Sequence, residues 1–82
     1  MRVTVKFICR NLTSGLISGE YDVPENATIR TIIEECEKQC NVALPEKNLK
    51  YLQFMLNGKS ALWESSVKDG DELYVLQLIV GG

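Results

Sequence analysis

Apolar and polar residues alternate from the first positions of the chain. Val3, Val5, Phe7 and Cys9 face one way and Arg2, Thr4 and Lys6 the other, the period of a half-buried strand over Arg2–Cys9. Asn11–Gly15 is a polar turn, and a second run, Leu16–Val23, sets Ile17, Tyr21 and Val23 against Ser18, Glu20 and Asp22. Two such runs about a turn read as a hairpin. Pro24-Glu25-Asn26 then breaks the strand, and the period changes. Ile29, Ile32, Ile33, Cys36 and Cys40 share one helical stripe, behind Thr28 as N-cap and ahead of Asn41 as C-cap. Arg30–Glu34 and Glu34–Lys38 are opposite charges one turn apart on the far side.

After a loop over Asn41–Lys50, strand character returns at Tyr51–Leu56, with Leu52, Phe54 and Leu56 on the core face. Asn57-Gly58 is a hairpin signal, since both residues tolerate positive φ, and Lys59–Leu62 is the returning strand. Trp63 and Val67 are expected beneath the core. Asp69-Gly70-Asp71 makes a tight turn into a last apolar strand, Leu73–Val80, too short to cross a bilayer. The order β-β-α-β-β-β, with one amphipathic helix laid on a mixed sheet, is an α+β domain. At 82 residues it is one domain, 1–82.

Composition narrows the chemistry. With no histidine, the commonest general base and metal ligand are missing, and no nucleophile–base pair is in sight. A net charge of −2 with scattered lysines is no nucleic-acid footprint. The chain opens on alternating strand sequence rather than a signal-like apolar core, so no membrane association and a cytoplasmic location are expected. Three cysteines are an odd number, against a disulfide framework. Cys36 and Cys40 fall on the apolar stripe and are expected to act as small hydrophobes, as is Cys9. Turn capping accounts for Asp69, Asp71 and Glu72 better than a cation site does.

Two glycines, Gly81 and Gly82, close the sequence. Without side chains, such a pair can lie extended in a channel too narrow for other residues, presenting the Gly82 α-carboxylate. On the last strand, alternation turns Tyr74 and Leu76 away from the face that holds Leu73 and Val75. Tyr51 and Met55 are expected on the same outer face. Exposed apolar clusters of this kind mark partner sites.

Leu56-Asn57-Gly58-Lys59, then Val67-Lys68-Asp69-Gly70-Asp71-Glu72-Leu73, then Gly81-Gly82 resemble the MoaD/ThiS family, the sulfur carriers of molybdopterin and thiamine biosynthesis. The element order, with Thr28-Ile29 opening the helix, is similar to that of a ubiquitin-like β-grasp. The chain departs from the family at Gln77-Leu78, where two prolines are common, which leaves the pathway open. The resemblance implies a protein cosubstrate rather than an enzyme, with no bound cofactor. An E1-like adenylyltransferase would adenylate Gly82 with ATP, a cysteine desulfurase or other donor would supply sulfur to form a thiocarboxylate, and an acceptor synthase would use it. Val80 and Gly81 complete the tail under this reading. Leu76, Tyr74, Met55, Tyr51 and Leu78 are the expected partner interface. A ubiquitin-like modifier joined to lysines through Gly82, or a non-covalent interaction domain, are the alternatives.

Overall fold

The computed structural model describes residues 1–78. Its elements run β1 (Arg2–Phe7), β2 (Gly19–Asp22), α1 (Ile29–Cys40), α2 (Glu46–Leu49), β3 (Leu52–Leu56), β4 (Lys59–Ala61) and β5 (Glu72–Gln77). The five strands form one mixed sheet in the order β2-β1-β5-β3-β4. β1 and β5 lie parallel at its centre, with Val5 beside Leu73 and Phe7 beside Val75. The other pairs are antiparallel.

One face of this sheet meets α1. Val3, Val5, Phe7, Phe54, Leu73 and Val75 are buried there together with Ile29, Ile32, Ile33 and Cys36 of the helix. The helix ends follow from their residues. Thr28 is extended, at φ −98° and ψ 172°, and its Oγ1 accepts from the Thr31 N–H. Asn41 takes the left-handed conformation at φ 56°, and the Val42 N–H donates to the Glu37 carbonyl, closing the last turn. Asn57 and Gly58 both have positive φ, as the tight β3–β4 connection demands. Trp63 is half-buried with its ring edge-on to Phe54, centroids 4.7 Å apart, and Val67 is buried.

Several sequence expectations need correction. The second strand begins at Gly19, not Leu16, and Ile17 is 69% exposed rather than inward. The Leu16–Val23 alternation continues upstream of the ladder into a loop, where no neighbour fixes which way a side chain points. Thr13 in that loop is buried, its hydroxyl donating to the Cys9 carbonyl. Residues 46–49 form a short helix inside the expected loop, its first turn opened by Pro45. Arg30 pairs with Glu64 across the fold, and Lys38 with Glu35, in place of the two expected pairs through Glu34. The last strand is described to Gln77; Val80, Gly81 and Gly82 lie outside the described residues.

Gly15 holds the β1–β2 loop against the helix exit. It sits at φ +93°, and a Cβ there would meet Val42 Cγ2 at 2.7 Å. Gly15→Ala is therefore expected to cost about 1–3 kcal/mol, from backbone strain and that clash together. Urea denaturation reads this as a lower midpoint, and an unchanged midpoint would show that the loop moves aside freely.

Burial pushes the Cys36 thiol from its ordinary 9.0 to about 12, with Cys40 adding to the effect. The folded state thus keeps a proton that the unfolded chain gives up. This contribution is intact below pH 9.0, shrinks as the pH rises above it, and is lost once the pH passes about 12. Burial also raises Tyr21 and Cys9, so they add in the same sense. The urea midpoint should fall on going above pH 9.0, and less steeply in Cys36→Ala. Equal slopes in the two proteins would remove Cys36 as the cause.

Candidate functional site

The outer face of the sheet is built from the same alternation that fills the core. Leu73 and Val75 are fully buried, so Tyr74 and Leu76 between and beyond them point outward, where both are half-buried. Register then decides their neighbours. Tyr74 lies between Lys6 of β1 and Met55 of β3, and Leu76 lies opposite Gln53. The Lys6 ammonium stands 5.9 Å from the Tyr74 ring centre. At the end of β5 the Leu78 N–H donates to the Tyr51 carbonyl at 2.7 Å, joining these two residues beside the ladder. Tyr51 and Leu78 are both exposed, at 43% and 40%.

The expected interface residues Tyr74, Met55, Leu76, Tyr51 and Leu78 therefore come together on β5, on β3 and at their shared end. Sequence reasoning missed Ile8, which is 54% exposed and lines a cleft with Arg10 and Leu76. The signal was present, because Ile8 has the same parity as Thr4 and Lys6 on the outward side of β1.

At the opposite end the acidic turn is a clamp. Asp71 accepts from the Lys68 N–H with one carboxylate oxygen and from the Asn57 side-chain amide with the other. The Glu72 N–H donates back to Asn57 Oδ1, and the Asn57 N–H to the Glu72 carbonyl. Asp69 accepts from the Arg2 N–H. The Asn-Gly hairpin and the Asp-Gly-Asp turn thus lock to each other and fix where β5 begins. No cluster of three or more metal-ligating side chains occurs among the described residues. Cys36 is fully buried, and Cys40 meets the Tyr21 hydroxyl at 3.1 Å, the packing role expected of them.

The model of the ThiS family matches residues 9–82, nearly the whole chain and every part of the clamp and outer face except β1 and Ile8. The chain belongs to the ThiS family. Membership makes it a small ubiquitin-like protein of the MoaD/ThiS kind. The solved structures agree on the fold. A putative molybdopterin converting factor subunit 1 from Pyrococcus furiosus is similar at 25% identity and a TM-score of 0.69, covering 96% of this chain and 99% of that one. A chain of the BexX/CysO complex from Amycolatopsis orientalis is 26% identical with a TM-score of 0.59, covering 98% and 99%. Small archaeal modifier protein 1 of Haloferax volcanii, at 16% identity, has a TM-score of 0.68 over 95% and 98%. A search of curated proteins finds no match. The ThiS-family chain has, among its described residues, no helix long and apolar enough to cross a membrane.

Proposed function

We propose that this ThiS-family protein is a sulfur carrier whose working group is the Gly82 carboxylate. What carries the reading is the family match, which extends to Gly82. The carboxylate attacks the α-phosphorus of ATP in the site of an E1-like adenylyltransferase and expels pyrophosphate. The acyl adenylate then loses AMP to the terminal sulfur of a persulfide, supplied by a cysteine desulfurase or other donor. A thiol cleaves the acyl disulfide and is itself oxidised to a disulfide, leaving the thiocarboxylate. An acceptor synthase of molybdopterin, tungstopterin or thiamine type consumes that sulfur. The domain supplies recognition, and the reacting groups besides its own carboxylate belong to partners. The 25% identity to a molybdopterin converting factor subunit supports the same kind of role.

The test is the intact mass of protein taken from its own host. A sulfur-for-oxygen exchange located in the C-terminal peptide is expected. Finding Gly82 only as a plain carboxylate after exposure to ATP and the activating enzyme would remove the mechanism, and finding it in isopeptide linkage to lysine would make the protein a modifier.

The outer face serves this chemistry as the docking surface. Leu76, half-buried between β1 and β3 neighbours, is its centre. Leu76→Glu is expected to raise KM for activation about tenfold or more, the effect of losing a central interface residue. Thermal denaturation should barely change, because the side chain contributes nothing to the core. A variant activated with wild-type KM would place the interface elsewhere.

A further inference from the structure

The sequence holds five asparagines, and only Asn57 is followed by glycine; Asn11, Asn26, Asn41 and Asn48 precede Leu12, Ala27, Val42 and Leu49. That neighbour decides a reaction. The backbone nitrogen after an asparagine can attack the side-chain Cγ and close a five-membered succinimide ring. A side chain on the attacking residue hinders the approach, and glycine has none. Gly58 also has open space on the side where a Cβ would stand, and Asn57 is exposed to water. Neither crowding nor dryness protects this pair.

The clamp does. Asn57 Nδ2 donates to Asp71 Oδ1 at 2.9 Å, and Asn57 Oδ1 accepts from the Glu72 N–H at 2.9 Å. Both bonds point across the turn to the start of β5. Ring closure turns Cγ towards the Gly58 nitrogen, and that rotation breaks them. Nδ2 is moreover the atom that departs. It needs a proton to leave as ammonia, and the Asp71 carboxylate that holds it is an acceptor only.

We propose that Asn57 is a latent deamidation site, kept intact by its clamp to Asp71 and Glu72, and that its conversion unlocks the start of β5. The step balances with water alone. The Gly58 nitrogen gives its proton to solvent base and bonds to Cγ, the Cγ–Nδ2 bond breaks, and ammonia leaves. Water then opens the ring. Cleavage of the new bond to Cγ leaves aspartate at position 57; cleavage at the backbone carbonyl leaves isoaspartate, with the main chain running through Cβ. Either product opposes the clamp. A carboxylate has no N–H for Asp71, and it sets like charge against like where a donor stood at 2.9 Å. Isoaspartate also lengthens a turn that pairs Leu56 directly with Lys59. β5 begins at Glu72 and carries Tyr74 and Leu76, so the damage reaches the outer face. Because the change is one-way, the hairpin keeps a record of how often the clamp has opened.

The experiment is timed incubation of the purified protein at mildly alkaline pH, in buffer and in denaturing urea, followed by tryptic mass mapping. The peptide 51–59 contains Asn57 and no other asparagine, and it gains the mass difference between a hydroxyl and an amino group. Isomerisation at Asp69-Gly70 leaves mass unchanged and does not register. Asn57 is expected to convert ahead of every other asparagine in urea, and at least about tenfold more slowly in the folded protein, where reaction waits on local opening. Amide exchange at Glu72 reports that opening in wild type, and conversion should track it. Asp71→Ala, shown to be folded by circular dichroism, should convert faster than wild type, and faster than Gly15→Ala, which is weakened away from the clamp. Asn57→Asp should lower the urea midpoint. Equal rates with and without urea, or conversion outpacing Glu72 exchange, would show that the clamp protects nothing. Equal acceleration by Gly15→Ala and Asp71→Ala would assign the protection to global folding and overturn the clamp's role. An unchanged midpoint for Asn57→Asp would overturn the unlocking of β5.

Discussion

Deleting Gly82 is expected to reduce ATP–pyrophosphate exchange to background. The reason is reach. Removing one residue withdraws the carboxylate by about 3.3 Å. A near-attack geometry needs the reacting atoms within about 3.5 Å, and misplacement of even about 1 Å costs about a hundredfold. Deleting Gly81 as well leaves Val80 at the end, a β-branched residue where a side-chain-free one is required. Since the domain is untouched, both truncated proteins should bind the activating enzyme with unchanged affinity and act as competitive inhibitors of the full-length chain. Exchange within tenfold of wild type would mean that Gly82 is not the reacting residue.

Phe54→Ala is expected to bring the domain close to unfolding. Phe54 is 2% exposed and meets the Trp63 ring edge-on at the heart of β3. Emptying such a site costs about 3–5 kcal/mol. A domain of 82 residues has about 4–12 kcal/mol in all, at about 0.05–0.15 per residue. With about 4–8 °C lost per kcal/mol, the thermal midpoint should fall by about 12–40 °C. Leu62→Ala, which removes a side chain 76% exposed, should shift stability by about 0.5 kcal/mol or less. A small drop for Phe54→Ala would show that Trp63 swings in to fill the space.

Local chemistry made much of this fold legible. Thr28 and Asn41 cap the helix because their side chains and φ values suit those positions, and Asn57-Gly58 needs only its own two residues to turn the chain. Alternation placed Tyr74 and Leu76 on the outer face, and register then brought Met55 beside Tyr74. What escaped was set by partners distant in sequence. Ile17 follows the alternation of its run but precedes the ladder that would have enforced it. Arg30 found Glu64 rather than Glu34 because the residue stacks over Trp63, 5.0 Å from its ring centre, in the segment that crosses the helix start. The short helix 46–49 has no buried residue and so left no hydrophobic period to read.

The central position of β5 has a bearing on how the protein is made. In the sheet, β2-β1 and β3-β4 are joined only through this last strand, which pairs with β1 across most of the sequence. The two halves of the sheet cannot join until β5 is free to pair, and contacts of such long range make closure slow. Under the proposed carrier function, an activating enzyme that reads the outer face would accept only a chain whose last strand is in place, a form of quality control written into strand order.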